Sequence, residues 1–207
     1  INKKPGDITQ ADKTGDLPIS HYIKAYLKKK YNKPGNVFLG TIHRLDRPTS
    51  GVIIFAKTSK ALTRMNKKFR ENTVQKTYWA LVESPPPRIS GSIENYLQKN
   101  QKLNKSYISN KEKGKYALLK YKLLNKLSKY YHLEISPKTG RHHQIRVQLS
   151  NINCIIKGDL KYGAKRSNKD GSIGLLAYKI KFTHPVTNKT IEIKANIPDN
   201  KIWSACI

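Results

Sequence analysis

Apolar positions recur at helical spacing in three places along the chain. Ile23, Tyr26 and Leu27 share one face of a segment that Ser20 can cap and that runs to Tyr31, before Pro34-Gly35-Asn36 stops it. Leu62, Met65 and Phe69 recur at i, i+3 and i+7 in a second predicted helix, opened by Ser59 and ending at about Glu71. Ile145, Leu149 and Ile152 form the stripe of a third, from about Arg141 to Asn151. The other apolar runs have strand character. Residues 51–57, GVIIFAK, are short, continuous and β-branched, and predict one buried strand. Residues 73–82 contain Tyr78-Trp79-Ala80-Leu81-Val82 and predict another, closed off by Pro85-Pro86-Pro87. Tyr116–Leu124 and Lys129–Ser136 flank a polar turn and predict a hairpin. Leu175–Thr183 and Thr190–Ala195, parted at Pro185, predict the last two strands. Residues 88–115 are polar and lysine-rich, with short strand-like pieces near Ile93–Leu97 and Tyr107–Ser109. Residues 1–18 predict an extended lead-in, and 161–172 a polar loop. Hairpins are more evident than βαβ alternation, which predicts an α+β fold with a mainly antiparallel sheet.

The length of 207 residues fits a single domain, 1–207, that buries a core without disulfide or metal staples. No apolar run reaches the ~18 residues of a membrane span, and no apolar h-region opens the chain, so neither a membrane partner nor a signal peptide is expected. Cys154 and Cys206 form no disulfide framework and have no metal-ligand spacing, so a reducing cytoplasm is the expected compartment. No phosphate-cradling glycine motif, zinc-binding helix or nucleophile elbow occurs. A protein with no metal and no small-molecule cofactor is the expectation.

Charge changes the picture most. Lys and Arg number 41 against 13 Asp and Glu, a net charge of +28. Nucleic acid is the polyanion such a surface fits. Lysine accounts for 33 of the basic residues and arginine for 8, in a chain also rich in Asn, Ile and Tyr. All four abundant types have A/T-rich codons, so base composition explains part of the lysine. The few arginines are correspondingly informative.

Two segments concentrate them. In His43-Arg44-Leu45-Asp46-Arg47-Pro48-Thr49-Ser50-Gly51 an acid sits between two arginines, just before the strongest apolar run. On composition alone this is an Asp in a surface salt-bridge cluster. Thr139-Gly140-Arg141-His142-His143-Gln144-Ile145-Arg146 opens the third predicted helix with polar and charged side chains, and on composition alone is an amphipathic helix with a wet face. His142 and His143, as helix neighbours, would point to different faces, whereas His143 and Arg146 would share one side.

Taken together, HRLDRPTSGVIIFAK, KTYWALV, TGRHHQIRVQL and IKGDLKYG closely resemble the RluA family of RNA pseudouridine synthases, in order and in spacing, over nearly the whole chain. The opening Asn2-Lys3-Lys4-Pro5-Gly6 is similar to that family's NKP-x-G segment, which implies a preceding strand outside the sequence; no S4-type RNA-binding domain is visible ahead of residue 1. The resemblance implies a pseudouridine-synthase catalytic fold: a long, mostly antiparallel mixed sheet with flanking helices and a basic RNA-binding cleft. It implies cofactor-free isomerisation of uridine in ribosomal or transfer RNA by a protein expected to be monomeric. Carried over residue by residue, Asp46 is the catalytic aspartate. Tyr78 is the tyrosine that stacks on the target base and can take its C5 proton. Arg146 pairs with the carboxylate, in the expected arrangement as a bidentate pair, and Arg44 enters the RNA beside the flipped nucleotide. Arg47, Arg141, His143 and Gln144 are expected RNA contacts. Three positions depart from the family's usual pattern: His142 for Thr or Ser, Cys154-Ile155 for His-Pro, and Leu176 for His. They bear on substrate choice and packing rather than on reaction class.

These residue types suit the reaction. Cleaving the glycosidic bond leaves an electron-poor C1′ that an ionised carboxylate can attack or stabilise. A guanidinium keeps that carboxylate ionised, and an aromatic ring holds the detached base while it turns. Attack at C1′, attack at C6 of the base and proton abstraction at C2′ are all open to Asp46. An idle RNA-binding protein on the same fold, or a basic ribosomal structural protein, would share the charge but would have no need of Asp46, Tyr78 and Arg146 together.

Overall fold

The computed structural model describes residues 1–11 and 15–207. Its elements run, in chain order, β1 (Asn2–Lys3), α1 (Ile19–Lys30), β2 (Gly40–Thr41), β3 (Ser50–Val52), β4 (Phe55–Ala56), α2 (Ser59–Arg70), β5 (Gln75–Val82), β6 (Ser90–Asn100), β7 (Lys105–Ser109), β8 (Lys115–Lys126), β9 (Tyr131–Pro137), α3 (Gln144–Asn151), β10 (Leu175–Thr183), β11 (Thr190–Lys194) and α4 (Lys201–Ser204), with a single 3-10 turn at Leu160–Tyr162. This is an α+β fold. Eight strands make one sheet in the order β1-β3-β10-β5-β9-β8-β6-β7, and β11 joins it through β10. Among the described residues only β3 and β10 run parallel, and the other pairings are antiparallel. β2 and β4 form a separate pair. Strands from both ends of the chain thus lie in one sheet, with β3 between β1 and β10. No described helix is long and apolar enough to cross a membrane.

Alternation along the central strands builds a core on each face. On β5, Ala80 and Val82 point to the face covered by α3, with Leu133, Ile135, Ile145 and Leu149. Trp79 and Leu81 point to the other, with Met65 of α2 and Trp203 of α4. A bulge in β10 between Leu176 and Lys179 lies opposite Tyr78. It releases Ala177 to close a third, small cluster with Leu45 and Ile53, against which Tyr78 packs.

Several local expectations are corrected. The apolar run 51–57 is not one strand: Ser50–Val52 pairs with β1 and β10, whereas Phe55–Ala56 turns away to pair with β2. Between them Ile54 N donates to His43 Nε2 at 3.1 Å, a side-chain bond where a ladder bond would continue the strand. Helix α1 starts at Ile19 behind Pro18, without a Ser20 cap, and buries Leu27 but leaves Tyr26 exposed. Helix α2 is capped one residue earlier than Ser59, by Thr58 Oγ1 accepting from Ala61 N at 3.1 Å. Helix α3 starts at Gln144, so Arg141, His142 and His143 precede it. Residues 88–115 hold an eleven-residue strand and its hairpin partner, far more β-structure than their polarity suggested.

Candidate active site

Asp46 stands in the loop between β2 and β3, whose backbone is fastened from several directions. Leu45 inserts into the cluster with Ile53 and Ala177. Thr49 N donates to Asp46 O at 3.0 Å, closing a turn. The Arg47 carbonyl accepts from Gly6 N at 2.9 Å and from the buried Lys3 ammonium at 3.1 Å. Gly51 allows β3 to approach β10: its φ is +118°, and a Cβ there would stand 2.4 Å from the Ala177 carbonyl oxygen. The Asp46 side chain, 28% exposed, faces an open cleft of about 1080 Å³, at the upper end of the range of ligand pockets. Arg44, Arg47, Arg70, Lys76, Arg141 and Lys161 are among the cations lining it, and among the described residues Asp46 is the one carboxylate in that lining.

Arg146 comes from the first turn of α3 and is buried. The structure corrects its expected geometry. Its bidentate partner is Asp159, with Nε donating to Oδ2 at 2.7 Å and Nη2 to Oδ1 at 2.8 Å. Asp46 receives one bond, from Nη1 to Oδ2 at 3.2 Å. One guanidinium thus serves two carboxylates, and the ring of Tyr162 lies 5.1 Å from it. Asp159 is 1% exposed. It is the principal residue that sequence reasoning left without a role, although it lies in the IKGDLKYG segment, and its place in that motif was the available signal.

Burial pushes the Asp46 carboxyl above the usual range; Arg146 and, less strongly, Arg44 pull it back, while the Asp159 charge adds to the rise. Tyr78, on β5, lines the same cleft and is half-buried. Burial, then the Asp46 charge, push its phenol well up, so it remains a protonated aromatic surface rather than a phenolate. Lys76, two residues earlier on the same strand, also lines the cleft, and burial pulls its ammonium down.

His143 takes a left-handed backbone conformation just before α3, with φ 52°. Its ring stacks on His142 at 3.8 Å between centroids, correcting the expectation that the two diverge. His143 Nδ1 lies 2.9 Å from the Tyr162 hydroxyl, and Nε2 lies 3.8 Å from Asp46 Oδ2. Burial and the Arg146 charge push its pKa down to about 2, so this contact is no ion pair. The Tyr162 hydroxyl also accepts from Ser106 N at 2.9 Å and donates to Ser106 O at 3.2 Å, which ties His143 to β7.

The α3 region has no wet face. Gln144 is buried, and its Oε1 accepts from Thr139 Oγ1 at 2.7 Å and from Arg141 N at 3.0 Å, while Nε2 donates to Leu118 O at 3.1 Å. Gln148 donates to Ile93 O and Asn95 Oδ1, each at 3.1 Å. These amides join the helix to the sheet, so Gln144 is committed to protein partners. The polar residues that made the segment look amphipathic are internal clamps. Arg141 lines the cleft, its Nε donating to Tyr116 O at 2.8 Å. Arg44 is exposed at the cleft and donates to Gln10 Oε1 at 2.9 Å. Arg47 pairs with Asp16 at 2.7 Å, both about half exposed. Asp46, Tyr78, Arg146 and His143 are therefore brought together, with Arg44, Arg47 and Arg141 around them. Among the described residues no group of three or more His, Cys, Asp or Glu is placed to hold a metal ion.

The sequence pattern of a family described as RNA pseudouridylate synthase matches residues 1–151. The chain is 39% identical over 171 residues to the ribosomal large subunit pseudouridine synthase C of Buchnera aphidicola subsp. Baizongia pistaciae, covering 79% of this chain and 54% of that protein. It is 32% identical over 177 residues to the tRNA pseudouridine synthase C of Vibrio parahaemolyticus, covering 76% of this chain and 72% of that one. The chain spans about half the length of the curated ribosomal relatives it matches. Among solved structures, human RNA Pseudouridylate Synthase Domain Containing 4 superposes with a TM-score of 0.82 over 98% of this chain and 86% of that one, at 22% identity, which is a likeness of fold.

Proposed function

The chain belongs to the RNA pseudouridylate synthase family, and from that premise we propose that it isomerises uridine in ribosomal or transfer RNA to pseudouridine. The observation that carries the reading is the Asp46 carboxylate, held by Arg146 beside Tyr78 at the base of a cation-lined cleft. The N1–C1′ bond breaks, the base turns, C5 bonds to C1′, and the C5 proton leaves as N1 gains one; nothing is oxidised or reduced. Asp46 is the group that meets the sugar or base. Arg146 holds it and supports its charge. Tyr78 supplies the ring against which the freed uracil turns. A target in a stack must first be flipped out, and Arg44, at the cleft rim, is the side chain placed to fill the gap. Arg47 and Arg141 line the path for the phosphates, and His143 stands beside Asp46. Residues 1–207 act as one catalytic domain, as a cytoplasmic monomer.

The experiment is tritium release from RNA labelled at C5 of uridine. Asp46→Asn keeps the volume and removes the charge, so RNA binding persists and turnover is lost. Turnover within tenfold of the parent protein would refute the assignment. Light scattering of the same preparation measures the oligomeric state.

A further inference from the structure

A second aromatic and basic surface stands outside the cleft, on α1. Ile19, Ile23 and Leu27 recur at i, i+4 and i+8 and face the protein, Leu27 being the one buried residue of the helix. Tyr22 and Tyr26 form the adjacent row, about 100° round the helix, and are 60% and 58% exposed. Tyr31, just past the helix, is 49% exposed. Single exposed aromatics need no explanation; a row of them does.

Lysines are threaded between these rings. Lys30 Nζ lies 5.5 Å from the Tyr26 ring centre and 5.9 Å from that of Tyr31. Lys57, arriving from β4, lies 5.0 Å from the Tyr31 ring and donates to its hydroxyl at 3.3 Å. Lys29 and Lys33 are exposed near them, Lys24 and Lys28 are exposed on the far side of the helix, and no Asp or Glu occurs from Leu17 to Leu45. Like charges at i, i+4, as in Lys24 and Lys28, destabilise a helix, and the dipole at its last turn, which holds Lys28, Lys29 and Lys30, offsets part of that cost. The patch is also tied to the cleft: Ile19 N donates to Ile8 O at 2.8 Å, and the segment returns through Ile42, His43 and Arg44, all of which line the cleft with Ile8.

We propose that this face is a second RNA-binding surface, on which unpaired nucleotides flanking the target stack against Tyr22, Tyr26 and Tyr31 while the lysines meet their phosphates; this rests on the RNA-modifying reading above and extends it beyond the cleft. Alternating rings and ammonium groups match alternating bases and phosphates, and stacking on tyrosine is open to every base. The partner is single-stranded rather than duplex RNA, because a duplex offers this row phosphates but no free base faces. A membrane-lying helix separates its apolar and cationic faces, whereas here Lys30 stands against the Tyr26 and Tyr31 rings.

The test compares the parent chain with the triple variant Tyr22→Ser, Tyr26→Ser, Tyr31→Ser, all exposed positions outside the cleft. Fluorescence anisotropy measures binding to a labelled oligouridine and to a blunt RNA duplex with the same number of phosphates. Oligouridine binding weakens by at least about fivefold, the lower end for loss of one stacked base, and duplex binding changes less than twofold. The matching Tyr→Phe variant retains oligouridine affinity. Photocrosslinks from oligouridine carrying 4-thiouridine map to Tyr22, Tyr26 or Tyr31. Equal losses on the two RNAs, no loss on oligouridine, or crosslinks confined to the cleft would overturn the proposal, as would loss of binding to anionic phospholipid vesicles alone. None of these measurements needs turnover, so an isomerase-inactive protein would defeat the reading of the cleft while this result stood or fell separately.

Discussion

Asp159→Asn and Asp46→Asn each remove one negative charge from the same guanidinium, yet the structure predicts opposite effects on stability. Asp159 accepts two short bonds from Arg146 in a fully enclosed site. Asn offers one acceptor where the carboxylate offered two, and sets an amide donor against an Arg146 donor. The buried cation then keeps its single 3.2 Å bond to Asp46. Removing one partner of a buried ion pair costs about 3–5 kcal/mol, a large part of the ~5–15 kcal/mol that stabilises a domain. Asp46→Asn leaves the bidentate pair intact. It also removes a carboxyl whose folded pKa lies above the free value of 3.8. Between those two values the folded state holds a proton that the unfolded state has released, so stability from this group falls as pH rises through that window. Where it is ionised, Asp46 is therefore a net cost, and its amide leaves stability unchanged or higher. Urea unfolding followed by tryptophan fluorescence reads both variants, because Trp79 and Trp203 are buried. Equal destabilisation by the two substitutions would refute this division between an anchor and a reacting group. So would a loss below about 1 kcal/mol for Asp159→Asn, which is no more than an ordinary hydrogen bond contributes.

Two further outcomes are expected. Arg44→Ala slows single-turnover isomerisation of a uridine stacked in a stem-loop far more than of one in a flexible bulge, since unstacking costs on the order of a few kcal/mol only in the first case; equal losses would return Arg44 to phosphate contact. His132 is fully buried against Trp79, with both ring nitrogens unpaired among the described residues, and burial lowers its pKa to about 4. The unfolded chain therefore binds this proton first as pH falls from 6.5 towards 4, and stability drops across that range; His132→Phe raises stability and flattens the drop in thermal melts at stepped pH, and an unchanged slope would count against it.

Legibility in the sequence followed the physical signal at each element. Strands β5, β8, β9 and β10 emerged because each carries a strong apolar run that packs into the core. Strands β6 and β7 were read short because they lie at the sheet's edge: on β6 only Ile93 and Leu97 are buried, and the residues between are polar. The 51–57 run misled because local apolarity cannot show that Gly51 adopts φ +118° and that the chain changes sheets after Ile53. At the site, Asp46, Tyr78 and Arg146 were found through motif resemblance, since no periodicity joins residues so far apart in the chain. Asp159 was passed over because a lone acid in a loop carries no pattern. Gln144 was assigned to RNA because polarity near a motif suggests a ligand contact, whereas here it answers buried backbone groups.

Net charge and local pairing act on Asp46 over different distances. The cations of the cleft draw RNA in, but their field is screened within about 8 Å at physiological salt, and bound phosphates then neutralise them. RNA also excludes water, so both changes push the Asp46 carboxyl towards its neutral form. Arg146 is the countervailing charge that a phosphate cannot take, because Nε and Nη2 are held inside by Asp159 while Nη1 remains on Asp46. A guanidinium bidentate to Asp46 alone would be anchored only to the group that reacts. Asp159 has its own cost, since its charge adds to the upward shift at Asp46. Asp159→Asn therefore has two separable effects on catalysis. The rate falls, because Arg146 loses its anchor. The acid limb of the pH–rate profile moves to lower pH, because Asp46 ionises more readily once the neighbouring charge is gone. A role confined to packing would lower the rate and leave the limb in place. Single-turnover rates from pH 4 to 8 for both proteins decide between them, and a limb that stays still or moves to higher pH would overturn the electrostatic coupling of the two carboxylates.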